Sequence, residues 1–262
     1  YGTKAANGVI VVTTKRGSEG KPQVSYSTNV TFKVRPRYTD HSVDVMSSKE
    51  RIQFSRELAE IGYQYNANAT LVGYEKALQD LYNKNIDYNQ FLQNVSDAES
   101  CNTDWFDLLC RDSWSQQHTA SLSGGSKTSR YYASLGYNKD NDVIKVNGNE
   151  RITASLNLDN TFSKLLSVSF NMSAYHYKRD YYQDALSPLS YAYTTSRAIN
   201  PFNADGTYAY YKRKVSSYEE YNYNILNELD NSYKKQVTNS FTVTANMKFN
   251  FTDWLNANAI FS

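Results

Sequence analysis

The sequence predicts a mainly β protein that forms part of a large antiparallel transmembrane β-barrel. Three observations favour this fold class: strand-like segments with alternating polarity, connections that alternate between short and long, and a low mean hydropathy. The 262 residues have a mean hydropathy of −0.67, and no run approaches the ~18 apolar residues of a membrane helix. A barrel is compatible with low hydropathy because only every second residue of its strands faces lipid.

Seven segments show the period-two alternation that indicates a β-strand with two unlike faces. In the first segment, the even positions from 24 to 34 are apolar apart from Thr28, and the odd positions are polar. The clearest segments run for about 9–12 residues, which is the length that crosses a bilayer at a tilt. The seven segments are 23–34, 118–123, 130–137, 152–162, 166–174, 241–251 and 255–262.

The connections between these segments alternate in length. Three are short, at 124–129, 163–164 and 252–254. The other three are long, at about 35–117, 138–150 and 178–236. Outer-membrane barrels have short periplasmic turns and longer external loops. We therefore expect the short turns on the periplasmic side, the long loops outside, and the first strand to begin at its periplasmic end.

The first long loop contains two segments with helical character. Residues 47–61 distribute apolar residues among charged ones as an amphipathic helix does. Ser47 or Ser48, followed by Glu50, supplies a helix-capping signature at its start. Residues 74–83 form a second candidate. We expect helical segments within the first external loop.

The beginning of the chain differs from the rest. Residues 8–14 form a continuous apolar run, which is typical of a strand buried on both faces, and a linker follows at 17–22. We therefore expect residues 1–20 to be the end of one domain with its linker, and residues 21–262 to be the first part of the barrel. Because the sequence begins at Tyr1 and stops within an alternating stretch, we interpret it as an internal piece of a longer protein.

Four blocks of sequence are recognisable. They are YGTKAANGVIVVTTKRG at 1–17, DWFDLLCR at 104–111, SLSGG at 121–125 with RYYASLGY at 130–137, and NPFNADGTY at 200–208. Together, and in this order, they resemble the plug end, the stretch before the second strand, a hairpin and a loop of SusC/RagA-type TonB-linked outer-membrane transporters. Cys110 stands where that family usually has an aromatic or apolar residue.

The resemblance implies a fold and a function that the residues alone do not establish. It implies a barrel of about 22 strands around a plug domain, of which this chain holds the last plug strand and about the first seven barrel strands. It also implies a place in the bacterial outer membrane, in contact with its lipid, and a SusD-like surface lipoprotein as partner. Such transporters import oligosaccharides, or in some members peptides, with energy from TonB, which would contact a segment absent from this chain.

The third long loop is the best candidate for ligand binding. It holds 11 of the 24 tyrosines, and tyrosine offers a sugar ring both a flat apolar face and a hydroxyl group. The alternative is that these tyrosines form an aromatic girdle or pack against a partner protein. The predicted substrate-binding residues are Tyr191, Tyr193, Asn200, Asn203, Tyr208, Tyr210 and Tyr211.

The two cysteines are close enough in sequence for a disulfide bond on the external side. Cys101 and Cys110 enclose a short segment of the first loop. Sequence alone cannot establish whether their geometry permits a bridge. A disulfide and two free thiols therefore both remain open.

Other chemistry is not supported by the sequence. The net charge of +2 argues against a nucleic-acid partner. Asn138, Asp140 and Asp142 have the spacing of a calcium loop but lack its glycine and its final glutamate, so a polar hairpin tip is favoured over a metal site. Because the sequence has no nucleophile elbow and no phosphate-binding loop, we expect neither an enzyme nor a cofactor, and we name no catalytic residue.

Two other functions remain as alternatives. A passive porin or structural outer-membrane barrel would show the same alternation but has no need of a plug ending at 1–17. A secreted carbohydrate-binding β-sandwich would also alternate. It differs in one respect: the apolar faces of its two sheets would meet in a core.

Overall fold

The computed structural model describes residues 15–216 and 218–262. The predicted buried strand at 8–14 lies outside these residues. The described strands are β1 (Gly20–Lys33), β2 (Ser113–Gly125), β3 (Ser129–Asn141), β4 (Gly148–Thr161), β5 (Leu166–Tyr182), β6 (Tyr211–Lys214), β7 (Glu220–Tyr223), β8 (Tyr233–Asn250) and β9 (Asn256–Phe261). The described helices are α1 (Ser48–Glu60), α2 (Gly73–Tyr82), α3 (Tyr88–Cys101), α4 (Trp105–Leu109), α5 (Pro188–Thr194) and α6 (Ile225–Asn231).

Seven strands form one antiparallel sheet in the order β1-β2-β3-β4-β5-β8-β9, while β6 and β7 pair separately. All seven predicted segments are therefore confirmed as neighbouring strands. Several strands are longer than their alternating pattern. For example, β5 continues to Tyr182 because its backbone pairing with β8 extends as far as Tyr233. The sheet is open, with β1 and β9 at its edges.

The strand register places the apolar positions of the alternating segments on one face of the sheet. One row of directly paired residues on this face is Val24, Leu122, Ala133, Leu156, Met172 and Val243. The adjacent row on the opposite face is Ser25, Ser121, Ser134, Ser155, Ser173 and Thr242. The large side chains of the apolar face are open to the surroundings, as Val24, Leu135 and Phe241 show. In the described part of the chain no second sheet covers this face, whereas a β-sandwich requires one.

The two ends of the sheet differ as the connection lengths predict. Residues 126–128, 162–165 and 251–255 make the short turns at one end. At the other end lie the first loop (residues 34–112), the second (142–147) and the third (183–232). Among the described residues, none of the helices is both long and apolar enough to span a membrane.

The first and third loops pack together around two apolar clusters. The larger cluster joins α4 to the third loop and consists of Val43, Trp105, Phe106, Leu109, Cys110, Tyr191, Ala192, Tyr223, Ile225 and Leu229. The smaller cluster joins α1, α2 and α3 to Ala198 of the third loop through Ile52, Ala77, Phe91, Val95 and Ala98. The loops therefore have their own hydrophobic core, separate from the apolar face of the sheet.

The predicted helices of the first loop are confirmed as α1 and α2, whereas α3 was missed. Helix α1 begins at the expected capping box, in which the Ser47 side chain accepts from the Glu50 backbone N–H and the Glu50 carboxylate accepts from Ser47. Helix α3 carries the same device in Asp87 and Gln90. Its buried residues Phe91, Val95 and Ala98 have helical spacing. The sequence therefore contained two signals that could have identified α3.

The segment before β1 lies against the polar face of the sheet. The Asn157 side chain donates to the Lys15 carbonyl over 2.7 Å, and Arg16 forms an ion pair of 3.2 Å with Asp159. Gly17 approaches the Tyr131 backbone so closely that a Cβ atom would lie 2.4 Å from its carbonyl oxygen. The chain that precedes the sheet therefore approaches it from the polar side.

Candidate ligand-binding cleft

A cleft lies between the first and third loops. One cavity of about 510 Å³ is bordered on one side by residues 44–46, Arg51 and Thr70, and on the other by α5 and Arg213. A second cavity of about 400 Å³ adjoins it and shares Thr70, Val72, Ile199 and Tyr211 with it. Four of the predicted binding residues line the cleft: Tyr191, Tyr193, Tyr210 and Tyr211.

Tyr191 forms the floor of the cleft and is largely structural. Its ring packs edge-on against Trp105 with 5.1 Å between the centroids, and its hydroxyl oxygen lies 3.2 Å from that of Tyr211. Burial raises the pKa of Tyr191 far above the usual range for tyrosine. The side chain therefore holds the two halves of the third loop together and offers little surface to a ligand.

Tyr193, Tyr210 and Tyr211 are better placed for contact with a ligand. Tyr193 is 40% exposed, and one side of its ring is fixed edge-on against Phe106 at 4.9 Å. Tyr210 is half exposed, and Tyr211 is partly buried. Aromatic rings held on one side and open on the other are suited to stacking on a sugar ring or on a peptide side chain.

Two arginines, which sequence reasoning missed, give the cleft charged groups. The Arg213 guanidinium lies 4.6 Å from the centre of the Tyr223 ring. Arg51 forms an ion pair of 2.7 Å with the buried Glu75 carboxylate, which also accepts from the Tyr65 hydroxyl over 2.9 Å. Burial, with a smaller contribution from Glu75, raises the pKa of Tyr65 to about 12. No local pattern marks these arginines, because the fold alone brings them to the cleft.

Asn200, Asn203 and Tyr208 do not line the cleft. Asn200 accepts from the Phe202 backbone N–H over 3.1 Å and borders a third cavity next to the cleft. Asn203 donates to the Thr207 hydroxyl over 2.9 Å and to the Tyr208 carbonyl, while the Tyr208 hydroxyl contacts Asp230. In this structure Asn200 and Asn203 therefore stabilise the turn of their own loop, and Tyr208 links that loop to α6.

The stretch at 104–111 joins the first loop to the third. The Trp105 indole N–H donates to the Ser196 carbonyl over 3.1 Å. Nearby, the Thr103 backbone N–H donates to the Arg197 carbonyl over 2.9 Å, and the Arg197 guanidinium lies 4.0 Å from the centre of the Tyr38 ring. These contacts fix one wall of the cleft relative to the other.

Both cysteines are free thiols in the structure. Cys101 is partly exposed at the end of α3, and its sulfur lies 3.2 Å from the Thr103 hydroxyl oxygen. Cys110 is buried in the larger loop cluster, and burial raises the pKa of its thiol.

The acidic residues at the second loop are used within the hairpin. Asp140 pairs with Lys33 over 3.0 Å and contacts the Ser115 hydroxyl. Asp142 accepts from the Val143 backbone N–H over 2.7 Å and from the Asn147 side chain over 3.0 Å. These contacts stabilise the polar hairpin tip that the sequence predicts.

Two curated relatives show similarity over most of this chain. TonB-dependent receptor SusC of Bacteroides thetaiotaomicron is 35% identical over 176 residues, covering 66% of this chain and 14% of that protein. TonB-dependent receptor P26 of Formosa agariphila is 27% identical over 220 residues, covering 83% of this chain and 19% of that protein. The chain thus spans less than a fifth of the length of these relatives. No protein-family model matches it.

Solved structures share the fold. The RagAB peptide transporter aligns with a TM-score of 0.67 at 20% sequence identity, covering 99% of this chain and 30% of that chain. The RagAB peptide importer in its "closed-closed" state aligns with a TM-score of 0.66 at the same identity and coverage. The described sheet therefore corresponds to part of the barrel wall in those structures.

The fold and the cleft together define a class of protein. The chain is a segment of the wall of a large outer-membrane β-barrel, with the loops that stand over one end of it. It belongs to the SusC/RagA-type TonB-dependent receptors, and its location is the bacterial outer membrane.

Proposed function

We propose that the protein containing this chain imports oligosaccharides or peptides across the outer membrane, with a SusD-like surface lipoprotein as partner and energy from TonB. The observation that carries this proposal is the similarity to TonB-dependent receptor SusC across both strands and loops. The name of the RagAB peptide importer supports peptides as one substrate class. A barrel with a cleft of aromatic and cationic side chains over one end is suited to capturing a polar solute.

In this proposal the cleft contacts the ligand before it enters the barrel. Tyr193, Tyr210 and Tyr211 offer ring faces and hydroxyl groups, and Arg213 offers a cation at the same wall. Asn200, Asn203 and Tyr208 shape the adjoining loop. A partner lipoprotein would cover the open side of the cleft, where exposed residues such as Met46 lie.

The same proposal divides the chain at its linker. Residues 1–20 are the end of a plug domain, and residues 21–262 are barrel wall and loops. The contacts of Lys15, Arg16 and Gly17 with the polar face support this division, because a plug lies inside the barrel, where the polar faces of the strands point.

The test measures uptake by cells that express the full-length protein as their only transporter of this type. We expect Tyr193→Ala with Tyr211→Ala to reduce the uptake of fluorescent oligosaccharide or peptide mixtures without changing the amount of protein in the membrane. Tyr218→Ala is the matched control, since Tyr218 is 96% exposed and does not border the cleft. Uptake that persists after loss of TonB would contradict active transport and support a passive porin.

A further inference from the structure

Strand β6 of the third loop has a free edge. In the described part of the chain, β6 and β7 form a separate two-stranded sheet, so each has a neighbouring strand on one side only. In an antiparallel pair, the backbone N–H and C=O groups of alternate residues point toward the partner strand and away from it. A free edge can therefore pair with another extended chain, unless the protein covers it.

Two hydrogen bonds establish which residues of β6 point their backbone groups outward. The Val215 N–H donates to the Glu219 carbonyl over 3.0 Å, which leaves Lys214 at a position without backbone bonds to β7. The Lys214 N–H accordingly points away from β7 and donates to the Thr70 hydroxyl over 3.1 Å. Because the pattern repeats every second residue, the N–H and C=O groups of Lys212 also point away from β7.

The outward edge of β6 borders the cleft. The cavity of about 400 Å³ is lined by residues 70–73 of the first loop and by Lys212 of this edge. On the side of the first loop, Val72 has an extended backbone, with φ of −141° and ψ of 166°. Among the described residues, the backbone N–H groups of Lys212, Leu71 and Val72 have no acceptor. Both walls of the cavity therefore contain backbone donors that are free to bond a ligand.

The side chains of β6 alternate between the two cavities of the cleft. Arg213 borders only the cavity of about 510 Å³, whereas Lys212 and Lys214 border only that of about 400 Å³; Tyr211 borders both. An extended chain paired with β6 would alternate in the same way, with successive side chains in opposite cavities. The cleft thus has both features of peptide recognition by strand addition: a free edge for the backbone and separate pockets for alternate side chains.

We propose that the cleft binds its ligand as an extended peptide that adds a strand to the outward edge of β6. This inference rests on the proposed import function and narrows its substrate class to peptides. An oligosaccharide lacks the backbone N–H and C=O groups at strand spacing with which such an edge pairs. Backbone pairing accommodates many sequences, since every residue except proline carries one donor and one acceptor. The two cavities then select among peptides by their side chains.

Proline substitution distinguishes the backbone of β6 from its side chains. Lys212→Pro removes the outward N–H and keeps the bonds to β7, and an outward N–H on an edge strand is a position where proline is tolerated. Lys212→Ala removes the side chain and keeps the N–H. Asn222→Pro is the matched control, because Asn222 lies opposite Lys212 in the register and its N–H points out from the other edge of the hairpin.

The experiment measures binding to the full-length protein in lipid nanodiscs by fluorescence anisotropy. The probes are a fluorescein-labelled pool of random octapeptides and the same pool with N-methylated backbone amides. We expect Lys212→Pro to weaken binding of the peptide pool about tenfold, because a lost partner leaves a backbone group of the peptide unpaired. Methylation of the peptides should weaken binding to the unaltered protein at least as much. Lys212→Ala should have a smaller effect than Lys212→Pro, and Asn222→Pro should leave binding unchanged.

Equal binding of methylated and unmethylated peptides by the unaltered protein would overturn the inference, and this comparison does not depend on the folding of any variant. A loss with Lys212→Ala or Asn222→Pro as large as that with Lys212→Pro would also overturn it. TonB-dependent uptake of labelled oligosaccharides without binding of the peptide pool would refute the peptide inference and leave the proposed import intact. Failure of the proposed function itself is distinguishable, since it would appear as uptake that does not need TonB.

Discussion

At the scale of single residues, Tyr191 and Tyr193 show how neighbouring tyrosines take opposite roles. Both belong to α5, and residues two apart on a helix point in different directions. Tyr191 therefore turns into the loop core, whereas Tyr193 stays at the open cleft. The sequence predicted both as ligand-binding residues, because the short helix that points them in different directions has no strong local signal.

The two cysteines provide a prediction at this scale. In the folded protein we expect Cys101 to react with iodoacetamide faster than Cys110, because Cys110 is buried and its raised pKa lowers the thiolate fraction at any given pH. Peptide mass spectrometry after a timed pulse at pH 8 measures both reactions. In denaturant without reductant both sites should react; two protected cysteines would instead reveal a disulfide.

At the scale of elements, the capping boxes of α1 and α3 are strong local determinants. Each satisfies backbone N–H groups at the start of a helix through residues three apart in sequence. Helices α5 and α6, by contrast, have seven residues each. Helices this short depend on tertiary packing for their stability, which is why the sequence did not predict them.

Removal of the α1 cap should loosen the first loop locally. We expect Ser47→Ala to destabilise α1 by about 1 kcal/mol, because the helix loses the acceptor for the Glu50 N–H. Hydrogen exchange of the α1 amides measures the change, which should appear as faster exchange in the first turn. Ser42→Ala, in an exposed turn, is the control; equal exchange in both variants would contradict the role of the cap.

At the scale of the whole molecule, the sheet separates an apolar face from a polar face and the short turns from the long loops. Large side chains of the apolar face such as Val24 and Phe241 are exposed in the described chain, so in the proposed barrel their burial depends on the surrounding bilayer rather than on a protein core. A charged side chain should therefore destabilise the protein more on the apolar face than at the neighbouring position on the polar face of the same strand.

Met247 and Asn246 test this difference between faces. We expect Met247→Arg to cost about 2–4 kcal/mol, since it places a charge near the bilayer midplane. Asn246→Arg should cost much less, because Asn246 lies on the polar face. Urea-dependent folding of the full-length barrel into lipid vesicles measures both values. Equal costs for the two variants would contradict the assignment of the faces.

The assignment of the two ends is tested on whole cells. A protease site placed at Asn203–Gly206, in the third loop, should be cleaved by added protease. The same site placed at Gly124–Lys127, in a short turn, should be protected until the outer membrane is opened. Equal cleavage at both positions in intact cells would show that the loops and turns have been assigned to the wrong sides.

The sequence by itself determined the seven strands of the large sheet, their two faces and helices α1 and α2. These features depend on residues two to four positions apart, so their signal is local. Only the tertiary structure decided which tyrosines are buried and that Arg51 and Arg213 line one cleft. Those features arise from contacts between residues far apart in the chain, such as Trp105 with Tyr191. No local pattern records such contacts, because the strand register and the packing of the loops create them.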